Sequence, residues 1–267
     1  MATSGWTVAT VAAELYQAEA DVRERAPFTD DWPDFSMADA YRTQDLLVQH
    51  KVAAGERIVG VKLGLTSRAK QLRMGISAPL TAWLTDAMVL AEGEPLPMAE
   101  LIHPRIEPEI VFVMGKRLAG PSVTAAVALD AVASVHEGVE VIDSRFADFR
   151  FELPDVLADN ASSARVYVHP RGLSPRELDL ATEACVLQVG GEVADTATGA
   201  AVQGHPAEAL ALAANRLAER GHALEPGWLV LTGGLTDAVP VRPGEQITAE
   251  FTHLGSVAVR GEQPAPV

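Results

Sequence analysis

His103-Pro104-Arg105-Ile106-Glu107-Pro108-Glu109-Ile110-Val111-Phe112-Val113 is the stretch on which the reading of the whole chain turns. Residues 110–114 form an apolar run of strand character. Glu107 and Glu109 stand two apart at its mouth. In an extended chain positions i and i+2 project from one face. The two carboxylates then lie side by side and repel unless a cation sits between them. Hard divalent ions such as Mg²⁺ prefer such oxygens. An edge strand with two solvated glutamates shows the same bare pattern. A third carboxylate weighs against that reading. Glu140, in Gly138-Val139-Glu140-Val141-Ile142-Asp143-Ser144-Arg145, is flanked by valines that belong in a core. A Glu there is costly unless paired or liganded. Glu107, Glu109 and Glu140 together would make a facial set with open positions for water or substrate.

Outward from this stretch, short apolar runs alternate with Gly, Pro and Asp. Residues 58–63, 88–91, 110–114, 139–142, 165–168 and 184–189 read as strands, and 228–259 as further short ones. Two helices interrupt them. One is 122–136, with Val127, Ala131 and Val135 spaced four apart. The other is 206–220, stopped by Gly221. The first 55 residues read as helical: Val8, Val11, Ala12, Leu15 and Ala18 fall at helical spacing, and Ser36 caps a second helix that ends near Gly55. Strict βαβ alternation is absent, which sets aside a doubly wound Rossmann sheet. The expected organisation is a helical segment over 1–56, packed on a β-rich catalytic body over 57–262, with a loose tail at 263–267.

Composition narrows the function. The 267 residues carry 21 Lys and Arg against 36 Asp and Glu, a formal net charge of −15. That balance argues against a phosphate-tracking nucleic-acid surface and against docking on an anionic membrane. With 48% apolar and 21% charged residues the chain can bury a core. No apolar stretch is long enough for a transmembrane helix, and no basic segment with an apolar run marks a signal peptide. A lone cysteine, Cys185, forms no internal disulfide and reads as an inert core thiol. A cytoplasmic location is the expectation.

Other segments carry weaker signals. Lys62 lies in Gly60-Val61-Lys62-Leu63-Gly64-Leu65-Thr66-Ser67, a glycine-punctuated apolar run, where it either faces an anion or snorkels to the surface. Asp159-Asn160-Ala161-Ser162-Ser163 reads as a polar turn after an apolar strand, a source of donors for a carboxylate or a simple Asx turn. Leu231-Thr232-Gly233-Gly234-Leu235-Thr236 could cradle an anion on backbone N–H groups. The seven histidines show no metal-type spacing.

Taken together, these segments resemble the 2-hydroxypenta-2,4-dienoate hydratase and 4-oxalocrotonate decarboxylase family, within the fumarylacetoacetate-hydrolase-like superfamily. The resemblance runs from about Met37 to Arg260. Its markers, in order, are Asp39-Ala40-Tyr41 before Gln44, the Gly60–Ser67 run, His103–Glu109, Glu140–Arg145, Ala158–Ser162, Gly199–Val202, Leu231–Gly234 and Leu254–Val257. It implies a mixed α+β fold, a largely antiparallel β-roll or barrel with outer helices and the helical N-terminal segment. It implies that Glu107, Glu109 and Glu140 ligate Mg²⁺ or Mn²⁺, that Lys62 and Ser162 are catalytic, and that Leu65, Thr66, Ser67, Leu80, Asp159, Thr232 and Gly233 meet the substrate. A homo-oligomer and a complex with the pathway's hydratase are implied as partners.

One segment chooses between branches. Hydratases of this family typically carry Asp after the Pro of a Pro-Asp-aromatic-Gly segment; here Pro79 is followed by Leu80, Thr81, Ala82 and Trp83. Without that carboxylate the reading favours decarboxylation of a 2-oxo-3-enedioate such as 2-oxohex-3-enedioate to 2-hydroxypenta-2,4-dienoate and CO₂, in catechol meta-cleavage. Leu80 and Trp83 are candidates for an apolar wall around the leaving carboxylate, and Arg145 for attracting the dianion. The alternatives are a hydratase of the same family, an acylpyruvate-type C–C hydrolase using His103 or His136, and a silent partner subunit.

Overall fold

A computed structural model of the chain describes residues 5–68, 71–72, 79–91 and 93–263. The N-terminal segment holds α1 (Val8–Ala20) and α2 (Met37–Ala53). Each starts with a reciprocal cap, Thr7 with Thr10 and Ser36 with Asp39, which satisfies backbone donors at the helix start. Later helices are α3 (Ala125–Asp130), α4 (Leu153–Ala158) and α5 (Pro206–Glu219). Helix α5 begins with Pro206 and is followed by Gly221 at φ +78°, as its sequence predicts.

Among the described residues, twelve strands form two sheets: β1 (Ile58–Gly64), β2 (Leu80–Thr85), β3 (Val89–Leu90), β4 (Arg105–Met114), β5 (Val132–Ile142), β6 (Ser163–Val168), β7 (Ala184–Val189), β8 (Glu192–Thr198), β9 (Leu229–Leu231), β10 (Val239–Pro240), β11 (Gln246–Phe251) and β12 (Ser256–Arg260). The larger sheet runs β2-β1-β9-β4-β5-β6-β3, with β10 also on β4; the smaller runs β12-β11-β7-β8. Pairing is antiparallel except at β1–β9 and β3–β6. The larger sheet curls into a half-barrel, which is the mixed α+β roll that the resemblance implies. Ile110, Phe112, Val135, Val139, Leu187 and Ile247 are among the side chains of the main core.

Strand β4 shows how the sequence places the site. Ile106 and Ile110 lie on one face, fully buried, while Glu107 and Glu109 take the other. Pro108 sits mid-strand without breaking the sheet. Its carbonyl accepts from Leu235 N–H at 2.9 Å, in the gap between β9, which pairs 111–113, and β10, which pairs 105–106. A residue's N–H and C=O point to the same side of a strand, so the donor that proline lacks falls in this gap and no ladder bond is lost. The chain that fills the gap is the Thr232–Thr236 segment.

Two expectations are corrected, and one strand is added. The helix expected over 122–136 is only the six residues of α3; from Val132 the chain is β5, paired with β4 from Met114 to Arg105. The spacing of Val127, Ala131 and Val135 suited a helix, but Val127 is exposed, and Val132 and Val135 gain far more from sheet burial. The Asp159–Ser163 turn follows helix α4, not a strand. Strand β8 was not read because it is solvent-facing and lacks an apolar face; its one signal was Gly190-Gly191, a two-residue hairpin link from β7.

Candidate metal centre and substrate cavity

Register brings the carboxylates together. Glu107 on β4 stands opposite Glu140 on β5, and Glu109 lies one pleat further in. One oxygen from each falls within 4.8 Å of the others. Glu109 and Glu140 are fully buried. Burial, then Glu140 and Glu107, pushes the Glu109 carboxyl well above the usual carboxylate range. Burial likewise raises Glu140, against the pull of Lys62.

The surroundings fit a bound cation. Glu109 Oε2 accepts from Gly233 N–H at 2.6 Å, but Glu109 Oε1 is buried and makes no hydrogen bond. Glu140 accepts from Ser163 Oγ at 2.8 Å and from Lys62 Nζ at 3.1 Å. Three acidic side chains with an unsatisfied buried oxygen are an oxygen donor set for a hard divalent ion. Two glycines make room. A Cβ on Gly234 would come within 2.5 Å of Glu107 Oε2, and one on Gly233, at φ +113°, within 2.1 Å of Thr66 Oγ1. The backbone donor expected to cradle an anion at Gly233 is thus spent on Glu109 itself, and Thr232 Oγ1 donates to the Ile110 carbonyl at 2.8 Å.

In front of the carboxylates opens a cavity of about 510 Å³. Among the residues expected at the site, Lys62, Leu65, Thr66, Leu80, Glu107 and Ser162 line it. Glu109 and Glu140 lie behind Glu107. Ser67, Asp159, Thr232 and Gly233 do not reach the lining. Phe149, Phe151, Val156 and Arg105 line it and were not read from sequence, although Arg105 stands two residues before Glu107 on the same strand face.

Ser162 reaches the cavity through a strained turn. Asn160, Ala161 and Ser162 have φ of +49°, +50° and +59°, a left-handed run that non-glycine residues rarely adopt. The Asn160 side chain locks it, donating to Trp83 O at 2.8 Å and accepting from Trp83 N–H at 2.9 Å. Asp159 holds the turn from behind by gripping Arg145, whose Nη2 also donates to Asp159 O at 2.9 Å. Burial opposes the Arg145 charge, but Asp159 and Glu19 outweigh it and hold the guanidinium above its ordinary range.

Three further expectations change. Arg145 is 2% exposed and lines a separate polar cavity beside Glu19 and Lys51, so it is not an attractor for substrate. Asp159 pairs with Arg145 and does not line the cavity. Trp83 alternates with Leu80 and Ala82 along β2 and points away, donating from Nε1 to Asp45 Oδ1 at 3.0 Å and packing edge-on against His222. His103 stacks near Phe149 and His136 bonds to Ser134 and the His169 carbonyl; neither lines the cavity. Cys185 is buried, and burial pushes its thiol up to about 12, consistent with an inert core residue.

Residues 57–260 match the family model for the fumarylacetoacetate (FAA) hydrolase C-terminal domain. The chain belongs to the FAA hydrolase family. Within it, the chain is 43% identical to a 4-oxalocrotonate decarboxylase of Pseudomonas sp. (strain CF600), over 95% of this chain and 96% of the other. A 2-hydroxyhexa-2,4-dienoate hydratase of Comamonas testosteroni is 35% identical over 95% and 97%. The structure of 4-oxalocrotonate decarboxylase from Pseudomonas putida G7, complexed with magnesium and adipate, superposes with a TM-score of 0.93 at 42% identity, covering 95% of this chain and 97% of that one. Among the described residues of this FAA hydrolase family member, no helix is long and apolar enough to cross a membrane.

Proposed function

We propose that this chain is a metal-dependent decarboxylase that converts 2-oxohex-3-enedioate (4-oxalocrotonate) to 2-hydroxypenta-2,4-dienoate and CO₂, in the meta-cleavage of catechols. The observation that carries the reading is the Glu107–Glu109–Glu140 cluster at the back of a half-apolar cavity that also contains Lys62. The likeness to two 4-oxalocrotonate decarboxylases supports it.

Glu107, Glu109 and Glu140 would hold Mg²⁺ or Mn²⁺. When bound, that ion supplies a Lewis acid for the 2-oxo acid end of the substrate, an electron sink for the decarboxylation. The rest falls to the chain's own side chains. Lys62 Nζ, anchored on Glu140, keeps a positive charge and an N–H donor beside the ketone oxygen, where negative charge develops. Ser162 Oγ and the backbone at Leu65 and Thr66 meet the substrate's 1-carboxylate. Leu65, Leu80, Phe151 and Val156 present an apolar wall that disfavours a carboxylate relative to neutral CO₂. Leu80 stands where a hydratase of the family would carry an acid, which favours decarboxylation over water addition. The acylpyruvate hydrolase reading loses its base, since neither His103 nor His136 lines the cavity. A homo-oligomer, association with the pathway's hydratase and a cytoplasmic location complete the proposal.

Incubation with Mg²⁺ and 2-oxohex-3-enedioate, following CO₂ and dienol, tests the reading. CO₂ release that EDTA abolishes, and that Glu107→Gln and Glu140→Gln lose, is expected. Full activity without metal would overturn it. Conversion of supplied dienol to 4-hydroxy-2-oxopentanoate without decarboxylation would make the chain a hydratase.

A further inference from the structure

We propose that Arg105 recognises the distal carboxylate of the substrate and makes the cavity selective for diacids over monoacids; this rests on the decarboxylase reading for the identity of the diacid. Arg105, Glu107 and Glu109 project from one face of β4, and burial deepens along the row, from partly buried Arg105 and Glu107 to fully buried Glu109. The metal-binding end of the cavity is therefore its floor, and Arg105 stands one two-residue step nearer the mouth. That step is about 6.6 Å along a strand, comparable to the span between the 2-oxo group and the far carboxylate of a six-carbon diacid.

Arg105 is prepared for an anion. Its guanidinium lies over the Phe149 ring, 4.0 Å from the centroid, a contact that holds the planar group where it lines the cavity. It makes no ion pair among the described residues. Arg145, in the separate cavity behind the Ser162 turn, is engaged by Asp159. Around Arg105 the lining is Ile142, Phe149 and Phe151, so a carboxylate arriving there finds one cationic fork in apolar surroundings.

The chemistry sets the form of the effect. A contact to the distal carboxylate exists in the bound substrate and fades as that group becomes CO₂. Such an interaction lowers KM and does not accelerate the chemical step. Arg105 is accordingly a specificity residue, and the loss on its removal falls on KM.

The test measures binding of adipate and of pentanoate to the Mg²⁺-loaded protein by calorimetry, alongside steady-state decarboxylation, for wild type, Arg105→Gln and Arg105→Lys. Wild type is expected to prefer adipate. Arg105→Gln should weaken adipate by about ten- to hundredfold, the size of a charge-assisted contact, with pentanoate unchanged, KM raised and kcat unchanged or raised. Arg105→Lys should restore part of the preference. Thermal melts of both variants establish that the fold is intact. A wild type without diacid preference, equal losses for both acids, or a fall in kcat at constant KM would overturn the assignment. Arg105-dependent adipate binding without CO₂ release would instead leave this inference standing and overturn the decarboxylase reading.

Discussion

Lys62 is 3% exposed, and its ammonium lies 3.1 Å from a carboxylate, Glu140, that is wholly buried. The sequence reading expects Lys62→Ala to lower kcat far more than stability. The burial adds a stability effect, because the variant strands the Glu140 charge in a low-dielectric interior. Breaking a buried pair from one side destabilises by roughly 3–5 kcal/mol. For a chain of this size 1 kcal/mol moves the midpoint by roughly 2–4 °C, so metal-free Lys62→Ala should melt on the order of 10 °C below wild type. Mg²⁺ should return part of that loss, since the ion neutralises the same carboxylate. Melting curves with and without Mg²⁺ check this, and an equal deficit in both states would separate Lys62 from the carboxylate cluster. At this scale the sequence was informative. Glu107, Glu109, Glu140 and Lys62 announce themselves as charges in apolar runs, which the physics of burial makes anomalous. Arg105 did not, because an arginine at the start of a strand is ordinary until its neighbours in space are known.

Strand β5 carries both the site and a pH-sensitive packing contact. Near its C-terminal end Glu140 faces Glu107; in its middle His136 is wedged against Gly172, where a Cβ would come within 2.4 Å of its Nε2. Burial lowers the His136 pKa below its ordinary 6.5, and the His169 carbonyl at 2.8 Å from Nδ1 only partly opposes it. The unfolded chain therefore binds a proton that the folded ring resists. Stability from this residue is fully present above about pH 6.5 and is lost as the pH falls through the lowered folded value. Urea midpoints between pH 7.5 and 5.5 should fall in wild type and fall less in His136→Gln. Parallel curves would show that the imidazole is not the proton acceptor. The same strand marks the limit of local reading. Residues 132–136 look helical in isolation and become strand because β4 offers a complete register of partners from Met114 to Arg105.

The N-terminal helices complete the cavity wall from outside. Val11, Leu15, Phe28 and Leu47 share one apolar cluster with Leu80, Phe146 and Leu157, and Leu80 is also cavity lining. Asp155 on α4 ties the segment down, accepting from Phe28 N–H at 2.8 Å and from Thr29 N–H at 3.1 Å. Removal of residues 1–56 should therefore yield an aggregating protein that no longer binds Mg²⁺, not a smaller active unit; a soluble, metal-binding remainder by calorimetry and light scattering would refute this coupling. The net charge of −15 proved a poor guide to a dianionic substrate. Approach depends on local groups, and among the described residues the arginine that lines the cavity is Arg105, with Arg145 bound up behind the Ser162 turn. The sequence by itself determined which side chains had to be paired or liganded, the class of fold, and both leading helices, because burial of charge, strand alternation and helix caps are local rules. Only the tertiary structure decided that β5 extends through residues 132–136, that Asp159 and Trp83 face away from the cavity, and that Arg105 faces into it. Those outcomes depend on which surface meets which, a long-range choice that no spacing along the chain encodes.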